Sequence, residues 1–193
     1  MRGNDIIDIK AAAQESNWRR TGFLQKIFTS RECSYIKESV EPEKMVWTLW
    51  SIKESVYKAY TRQFGGRFFA PKKISCILLP GCIGTATINE RAFHTTSQIT
   101  DAYIYTSAKC ATSDTAPLVE FLFSYITDDY KKQQELMYQK IINNYAAITQ
   151  QGIKQLSIKK NTNGIPFIHI KREQLAIPVS ITHHGYFGAF TIN

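Results

Sequence analysis

The spacing of hydrophobic residues changes along the chain and predicts a mixture of strands and helices. Apolar residues between positions 6 and 9, mainly β-branched, predict a short buried strand. Helical periodicity follows over residues 15–27 and 42–61, and Gly65-Gly66 marks a break. After that break, the pattern predicts strands over residues 74–79, 84–89 and 102–108.

A small, polar stretch at residues 111–117 predicts a linker between two parts of the chain. Beyond it, the pattern predicts a strand over 119–126 and a helix over 128–150. Two strands around a turn at 161–164 follow. The sequence therefore divides into residues 1–110, a linker at 111–116, and residues 117–193, and it shows no clear internal repeat.

The segment from Trp50 to Lys58 carries the clearest candidate chemistry. Glu54 and Lys58 are four residues apart, so on a helix they share a face. Lys53 falls near the middle of an apolar stripe, where a lysine is costly to bury without a partner. A carboxylate and two lysines suit a site for a metal ion and phosphate, but Glu-to-Lys pairs are also common on helix surfaces.

Asp5 is a carboxylate inside the apolar run at the amino terminus. It is either a solvated acid at a frayed terminus or a metal ligand held by a core strand. Asp8 faces the opposite side of a regular strand, so it reaches the same metal only if the strand ends or bends there.

Near the carboxyl terminus, the sequence predicts a strand, a tight turn at His183-His184-Gly185, and another strand. Ser180, Thr182 and the two histidines bring together hydroxyls and imidazoles that can hold a phosphate. The alternative is a hairpin with ordinary polar turn residues. No cysteine or carboxylate lies at ligand spacing from the histidines, so zinc is not indicated.

Charge adds a clue about partners. The 193 residues carry a net charge of +8, from 24 Lys and Arg against 16 Asp and Glu. The excess favours either solubility or attraction to an anionic ligand or an acidic protein. A basic nucleic-acid-binding protein is a further hypothesis, but the chain has no recognised motif and no concentrated basic run, so we expect no nucleic-acid partner.

The four cysteines are scattered, without a metal-binding or redox pattern. No signal peptide precedes Gly3, and no apolar run reaches transmembrane length. We therefore expect a cytoplasmic protein with reduced thiols and no membrane partner.

Taken together, the motifs resemble those of the 4′-phosphopantetheinyl transferase superfamily. That family shows Gly-x-Asp-Ile, Trp-x-x-Lys-Glu-x-x-x-Lys, Ser-Ile-Ser-His-x-Gly and Gly-Lys-Pro. The corresponding segments here are Gly3-Asn4-Asp5-Ile6, Trp50 to Lys58, Ser180 to Gly185, and Gly164-Ile165-Pro166.

The resemblance implies an α+β fold built as a pseudo-dimer of two halves. The half with the aspartate and Lys-Glu motifs comes first here, which reverses the order in the surfactin-synthetase-activating type. A shorter type, the holo-acyl-carrier-protein synthases, has the present motif order and assembles as a trimer. The helix at 128–150 would be an insertion in that type, so we expect a monomeric pseudo-dimer with one active site between its halves.

The implied activity is transfer of the 4′-phosphopantetheine arm of coenzyme A to a serine of an apo-acyl or peptidyl carrier protein. Adenosine 3′,5′-bisphosphate is the other product. By this resemblance, Asp5 and Glu54 bind Mg²⁺, and Glu54 also accepts the serine proton. Lys58 neutralises pyrophosphate or protonates the leaving group.

The resemblance also implies that Thr182 and His183 contact the 3′-phosphate of coenzyme A, while Ser180 points inward and supports the turn. For Lys53, an ionic role toward coenzyme A and a buried structural role are equally open. The carrier protein, whether from fatty-acid, polyketide or peptide synthesis, and the tolerance for acyl-coenzyme A are also open.

Several positions depart from the family pattern. Ile165 replaces a lysine, and Lys159, Lys160 or Lys171 are candidate substitutes for it. Asn4 stands where an apolar residue is usual, and the helix continues after Lys58 where a glycine is expected. A non-catalytic member that binds coenzyme A or a carrier protein is therefore the second hypothesis.

Overall fold

The computed structural model describes residues 1–66, 68–113, 116–171 and 176–193. Contacts divide the chain into two compact units, Met1–Asp114 and Thr115–Asn193. The division falls within the stretch 111–116. The assignment of the catalytic and binding motifs to separate halves stays a prediction.

The first unit is a five-stranded antiparallel sheet with a long helix packed on it, within the part of the chain described. The order in the sheet is β1-β5-β4-β3-β2, which places the first and last strands side by side. The elements are β1 (Arg2–Asp8), α1 (Ile9–Glu15), α2 (Phe23–Ile27), α3 (Ser30–Glu38), α4 (Pro42–Phe64), β2 (Ser75–Leu79), β3 (Ile83–Ile88), β4 (Arg91–Ile99) and β5 (Tyr103–Cys110).

Helix α4 is the central element of this unit. Pro42 occupies its first turn, where a missing N–H costs nothing, and Gly65 ends it with a φ of 75°. Val46, Leu49 and Val56 are fully buried within the hydrophobic core of the unit. This packing, rather than local propensity alone, fixes a 23-residue helix against the sheet.

Strand β1 approaches α4 closely because Gly3 has no side chain. A Cβ atom at Gly3 would lie 2.1 Å from the carbonyl oxygen of Ser55 and 2.5 Å from the backbone nitrogen of Ala59. Ser51, Ser55 and Ala59 are small residues at four-residue intervals, and all are buried. The hydroxyl of Ser55 donates to the Thr106 carbonyl at 3.0 Å, which joins the helix to β5 as well.

The second unit has the same topology in its described residues. Its sheet order, β6-β10-β9-β8-β7, again pairs the first and last strands, and one helix follows the first strand. The α+β class is thus confirmed, and the shared topology is what a pseudo-dimer requires. The elements are β6 (Val119–Ser124), α5 (Tyr130–Thr149), β7 (Leu156–Lys160), β8 (Pro166–Ile170), β9 (Ala176–His184) and β10 (Phe187–Ile192).

The helix predicted over residues 15–27 is wrong in its middle. Two short helices, α1 and α2, are separated by a turn in which Asn17 accepts a hydrogen bond from the Arg19 backbone at 3.1 Å. Gly22 then has a φ of 81°, which precedes α2. Asparagine and glycine favour such turns over helix interiors, and they override the apolar periodicity.

Strand β4 was not predicted, because its inward positions are partly polar. Phe93, Thr95 and Ser97 are buried at alternate positions, whereas the residues between them are exposed. The Ser97 and Thr106 hydroxyls hydrogen-bond at 2.9 Å. A buried hydroxyl pair therefore replaces the apolar side chains that a sequence pattern detects.

The carboxyl-terminal turn lies later than predicted. Strand β9 continues through His184, which pairs with Phe187 of β10. The turn is Gly185-Tyr186, and Gly185 takes a φ of 53°. A two-residue hairpin of this kind needs positive φ, which glycine supplies at its first position, so the histidines complete the strand instead.

Among the described residues, no helix combines the length and hydropathy needed to cross a bilayer.

Replacing Gly3 with alanine should destabilise the first unit. The added methyl group meets helix backbone rather than a movable side chain, so we expect a loss of about 1–3 kcal/mol or more in the free energy of unfolding. Chemical denaturation measures this. Gly152→Ala is the matched control, because a Cβ there meets only Gln155 at 3.8 Å. Equal stability of both variants would contradict the close packing.

Candidate active site

Asp5 and Lys58 meet where β1 crosses α4. The Lys58 Nζ atom lies 2.9 Å from Asp5 Oδ1 and donates a second hydrogen bond to the Asn4 carbonyl, also at 2.9 Å. Asp5 is only 7% exposed, so it is not a solvated acid at a frayed end. Of the two interpretations of Asp5, the structure therefore supports the carboxylate held by a core strand.

Glu54 lies one helical turn before Lys58, on the same side of α4. Burial raises the pKa of the Glu54 carboxyl, the negative charge of Asp5 raises it further, and Lys58 opposes both effects. Glu54 and Asp5 are thus close enough to repel each other. The site holds two carboxylates whose repulsion a bound cation would relieve.

The donor atoms fit a hard divalent cation that keeps part of its coordination for other ligands. In the described ranges, no group of three or more His, Cys, Asp and Glu side chains could enclose a metal. Mg²⁺ typically uses one or two carboxylates and completes its shell with water and substrate phosphate. Asp5 and Glu54 offer such a pair.

The ammonium of Lys53 has other partners, and the residue is 1% exposed. Its Nζ atom lies 2.8 Å from Glu32 Oε2, and it also donates to the carbonyls of Pro71 and Ile74. The buried structural role is therefore the one that the contacts describe. A bond to coenzyme A would require the ammonium to leave this network, so we assign Lys53 no role in the proposed chemistry.

Glu32, the partner of Lys53, was missed by the sequence analysis. It is fully buried and accepts hydrogen bonds from the backbone of Thr29 at 2.7 Å and of Cys76 at 2.8 Å. Thr29 in turn accepts from the Glu32 backbone, which completes a capping box at the start of α3. The Thr-x-x-Glu spacing signalled a helix start. Nothing in the sequence signalled the pairing with Lys53.

A cleft of about 480 Å³ opens beside Glu54. Its other described walls are mainly apolar and come from α4 and from the segment before β2. Besides Lys53 and Glu54, the described residues that line it are Tyr57, Phe68, Phe69, Ala70, Pro71 and Ile74. Such a lining suits an uncharged chain better than a phosphate group.

Asp8 has a local structural task. Strand β1 ends at Asp8, whose Oδ1 accepts a hydrogen bond from the Ala11 backbone at 3.0 Å and caps α1. A capping role explains the carboxylate without a metal. Asp8 was expected to approach the same ion as Asp5 only if the strand ended or bent there. The strand does end at Asp8, so that condition is met.

Thr182 and His183 lie on β9 in the second unit, and they leave the strand on opposite faces. Ser180 is buried, as expected for an inward-pointing hydroxyl, and Thr182, the expected phosphate contact, is buried as well. His183 is exposed, with its ring centroid 5.3 Å from that of Tyr130. His183 is therefore the more accessible of the two candidate phosphate ligands.

The hairpin that carries these residues is anchored by α5. The buried Gln133 side chain donates to the Gly185 carbonyl at 3.0 Å and to the Thr127 carbonyl at 2.8 Å. The Tyr125 backbone donates to the Tyr186 carbonyl at 2.7 Å.

Ile165, which stands where the family motif has lysine, donates its backbone N–H to Asn161 in the turn before β8.

The arrangement of a carboxylate pair with a lysine defines a class of site that can bind a divalent cation and a phosphate. A family model described as 4′-phosphopantetheinyl transferase superfamily matches residues 2–113, more than half of the chain. The chain belongs to this superfamily.

Solved structures with similarity to the chain include two holo-[acyl-carrier-protein] synthases. The enzyme from Helicobacter pylori, in complex with coenzyme A, is 14% identical, and the match covers 57% of this chain and 100% of that one with a TM-score of 0.47. The enzyme from Thermotoga maritima is 9% identical, with 91% and 83% coverage and a TM-score of 0.45. The curated proteins include no significant match.

Breaking the Lys53–Glu32 pair should be costly, whereas removing both charges should cost less. Lys53→Met leaves a fully buried carboxylate unpaired, and we expect it to lower the free energy of unfolding by about 3–5 kcal/mol. The double variant with Glu32→Gln should recover part of that loss, as denaturant titration would reveal. Additive losses in the double variant would show that the two side chains are not coupled.

Proposed function

We propose that this protein transfers the 4′-phosphopantetheine arm of coenzyme A to a serine of an apo-carrier protein, in a Mg²⁺-dependent reaction. One observation carries the proposal. Asp5, Glu54 and Lys58 come together where β1 packs on α4, inside the segment matched by the family model.

The residues have separable tasks in this reaction. Mg²⁺ bound by Asp5 and Glu54 would offset the repulsion between the serine oxygen and the anionic pyrophosphate. Glu54, whose raised pKa makes it a stronger base than an exposed glutamate, accepts the serine proton directly or through water. Lys58, held by Asp5 and the Asn4 carbonyl, neutralises charge on the leaving phosphate.

The other parts of the proposal concern binding. His183 contacts the 3′-phosphate from the exposed face of β9, the buried Thr182 supports the strand from the opposite face, and the apolar cleft beside Glu54 takes an uncharged part of the arm. The carrier is an acyl or peptidyl carrier protein, which places the enzyme in fatty-acid, polyketide or peptide synthesis. We propose a monomer, supported by two halves of one topology, and a cytoplasmic location, supported by the four free thiols of the described chain.

The non-catalytic alternative, a protein that only binds coenzyme A or a carrier, is less favoured. Asp5, Glu54 and Lys58 are all present and assembled, although Ile165 lacks the ammonium of the family lysine.

Intact-mass measurement of a panel of apo-carrier proteins tests the function directly. After incubation with the protein, coenzyme A and Mg²⁺, we expect one carrier class to gain a single phosphopantetheine arm. A parallel reaction with a chelator should show no gain. Coenzyme A binding without mass gain on any carrier would replace this proposal with the non-catalytic alternative.

Glu54→Gln should nearly abolish transfer without lowering stability. Because the pKa of Glu54 is raised in the folded protein, its stabilising contribution is present below its ordinary pKa and lost as the pH rises through the raised value. A neutral glutamine has no charged form to desolvate at any pH, so the melting temperature should be equal or higher. Asp5→Asn should also nearly abolish transfer. Wild-type rates in both variants would refute the metal assignment.

His183→Ala should mainly weaken coenzyme A binding, because the exposed imidazole supplies a phosphate contact rather than a reacting atom. Steady-state kinetics should show a raised KM for coenzyme A with a smaller change in kcat. His169→Ala is a control from the neighbouring strand β8, for which we expect no such change. An unaltered KM in His183→Ala would remove this residue from the binding site.

A further inference from the structure

Helix α4 carries a third charged side chain in line with Glu54 and Lys58. Arg62 follows Lys58 by one turn, or about 6 Å along the helix axis. Residues four apart lie one above another, so these three side chains follow the same edge of α4. The family motif on this helix ends at Lys58, so Arg62 lies outside it.

The surroundings of Arg62 are unusual for an arginine. The residue is partly buried, and its Nε atom is buried with no hydrogen-bond partner. Within the described ranges, no carboxylate forms an ion pair with it. By contrast, Lys58 is paired with Asp5 and Lys53 with Glu32. A buried guanidinium nitrogen normally has an anionic or hydrogen-bonding partner, because an unpaired polar group is costly to desolvate.

Burial lowers the pKa of Arg62 to about 10, so the side chain still carries its charge at neutral pH. Among the residues that the structure describes, no negative group offsets this desolvation. Arg62 thus has the properties of a cation whose partner arrives with a ligand. A guanidinium presents a planar fork of N–H donors that matches phosphate oxygens, often in a bidentate manner.

We infer that Arg62 binds a phosphate group of the co-substrate, one helical turn beyond Lys58 on α4. This inference rests on the proposed function, which makes coenzyme A the ligand. Coenzyme A carries a pyrophosphate and a 3′-phosphate, and either one is an oxyanion of the required chemistry. Arg62 would add affinity and orientation for the anion, whereas Glu54 and Lys58 act on the reacting atoms.

A purely structural role for Arg62 predicts something different. The side chain lies in the last turn of α4, where a positive charge interacts favourably with the helix dipole. In that case, substitution would change stability and leave coenzyme A binding unaltered. Binding and melting temperature must therefore be measured on the same variants.

The experiment is calorimetric titration of coenzyme A, in the presence of Mg²⁺, into the wild type, Arg62→Gln and Arg62→Lys. We expect Arg62→Gln to weaken binding at least about tenfold, since a charge-assisted hydrogen bond is lost. Arg62→Lys keeps the charge at the helix end but loses the fork, so its affinity should fall between the two. The lysine variant also keeps the test informative if the glutamine variant does not fold.

Arg91→Gln is the matched control. It removes the same charge from the same unit, where an exposed guanidinium stacks 3.9 Å from the Phe64 ring. We expect less than a twofold change in its affinity. Repeating the titrations with dephospho-coenzyme A, which lacks the 3′-phosphate, identifies the group. Loss of affinity for coenzyme A alone assigns Arg62 to the 3′-phosphate, and equal loss for both ligands assigns it to the pyrophosphate.

Wild-type affinity in both Arg62 variants would overturn the inference and leave the proposed function standing. Equal weakening in Arg62→Gln and Arg91→Gln would also overturn it, because a general charge effect would then suffice. A wild-type protein that binds neither ligand would overturn the proposed function and this inference together.

Discussion

The contact between β1 and α4 at Gly3 is the constraint on which the site depends. Strand and helix come within van der Waals distance of each other's backbones, because Gly3 has no Cβ and the facing helix positions are Ser55 and Ala59. Only at that separation does Lys58 reach both Asp5 and the Asn4 carbonyl. The glycine of the amino-terminal motif thus sets the distance between strand and helix, and the aspartate forms its ion pair with Lys58 at that distance.

Two adjacent residues of helix α4 carry charges with different roles, one structural and one chemical. Lys53 faces a closed network with Glu32 and two backbone carbonyls, which joins α3 and the segment before β2 to the helix. Glu54, the next residue, is about 100° further around the helix and faces Asp5 and the cleft. The Lys53 ammonium is compensated by an ion pair and two carbonyl acceptors. The Glu54 carboxylate is destabilised by burial and by a like charge, as is typical of groups that act on substrates.

Much of this arrangement follows from the sequence. The α+β class, the long helix from Pro42 and the segments of Asp5, Glu54 and Lys58 were predicted from periodicity, spacing and the family motifs. Those signals are local, because a four-residue interval on a helix determines which side chains are neighbours. The shared topology of the two units was expected only through the family resemblance, since the sequence has no visible repeat.

The features that the sequence did not predict depend on contacts between distant segments. Strand β4 buries Ser97, and the hydrogen bond between the Ser97 and Thr106 hydroxyls makes this polar side chain acceptable inside the unit. Glu32 lies 21 residues before Lys53, so their pairing has no local signature. The histidines near the carboxyl terminus end a strand because the positive φ at Gly185 moves the turn past them.

The central claim is that Asp5 and Glu54 together hold one divalent cation. Electron paramagnetic resonance of Mn²⁺, used in place of Mg²⁺, measures that binding without requiring turnover or a carrier protein. With coenzyme A present, we predict one bound Mn²⁺ in the wild type and at least about tenfold weaker binding in Asp5→Asn and in Glu54→Gln, since each loses a charged ligand. Undiminished Mn²⁺ affinity in both variants would contradict the account.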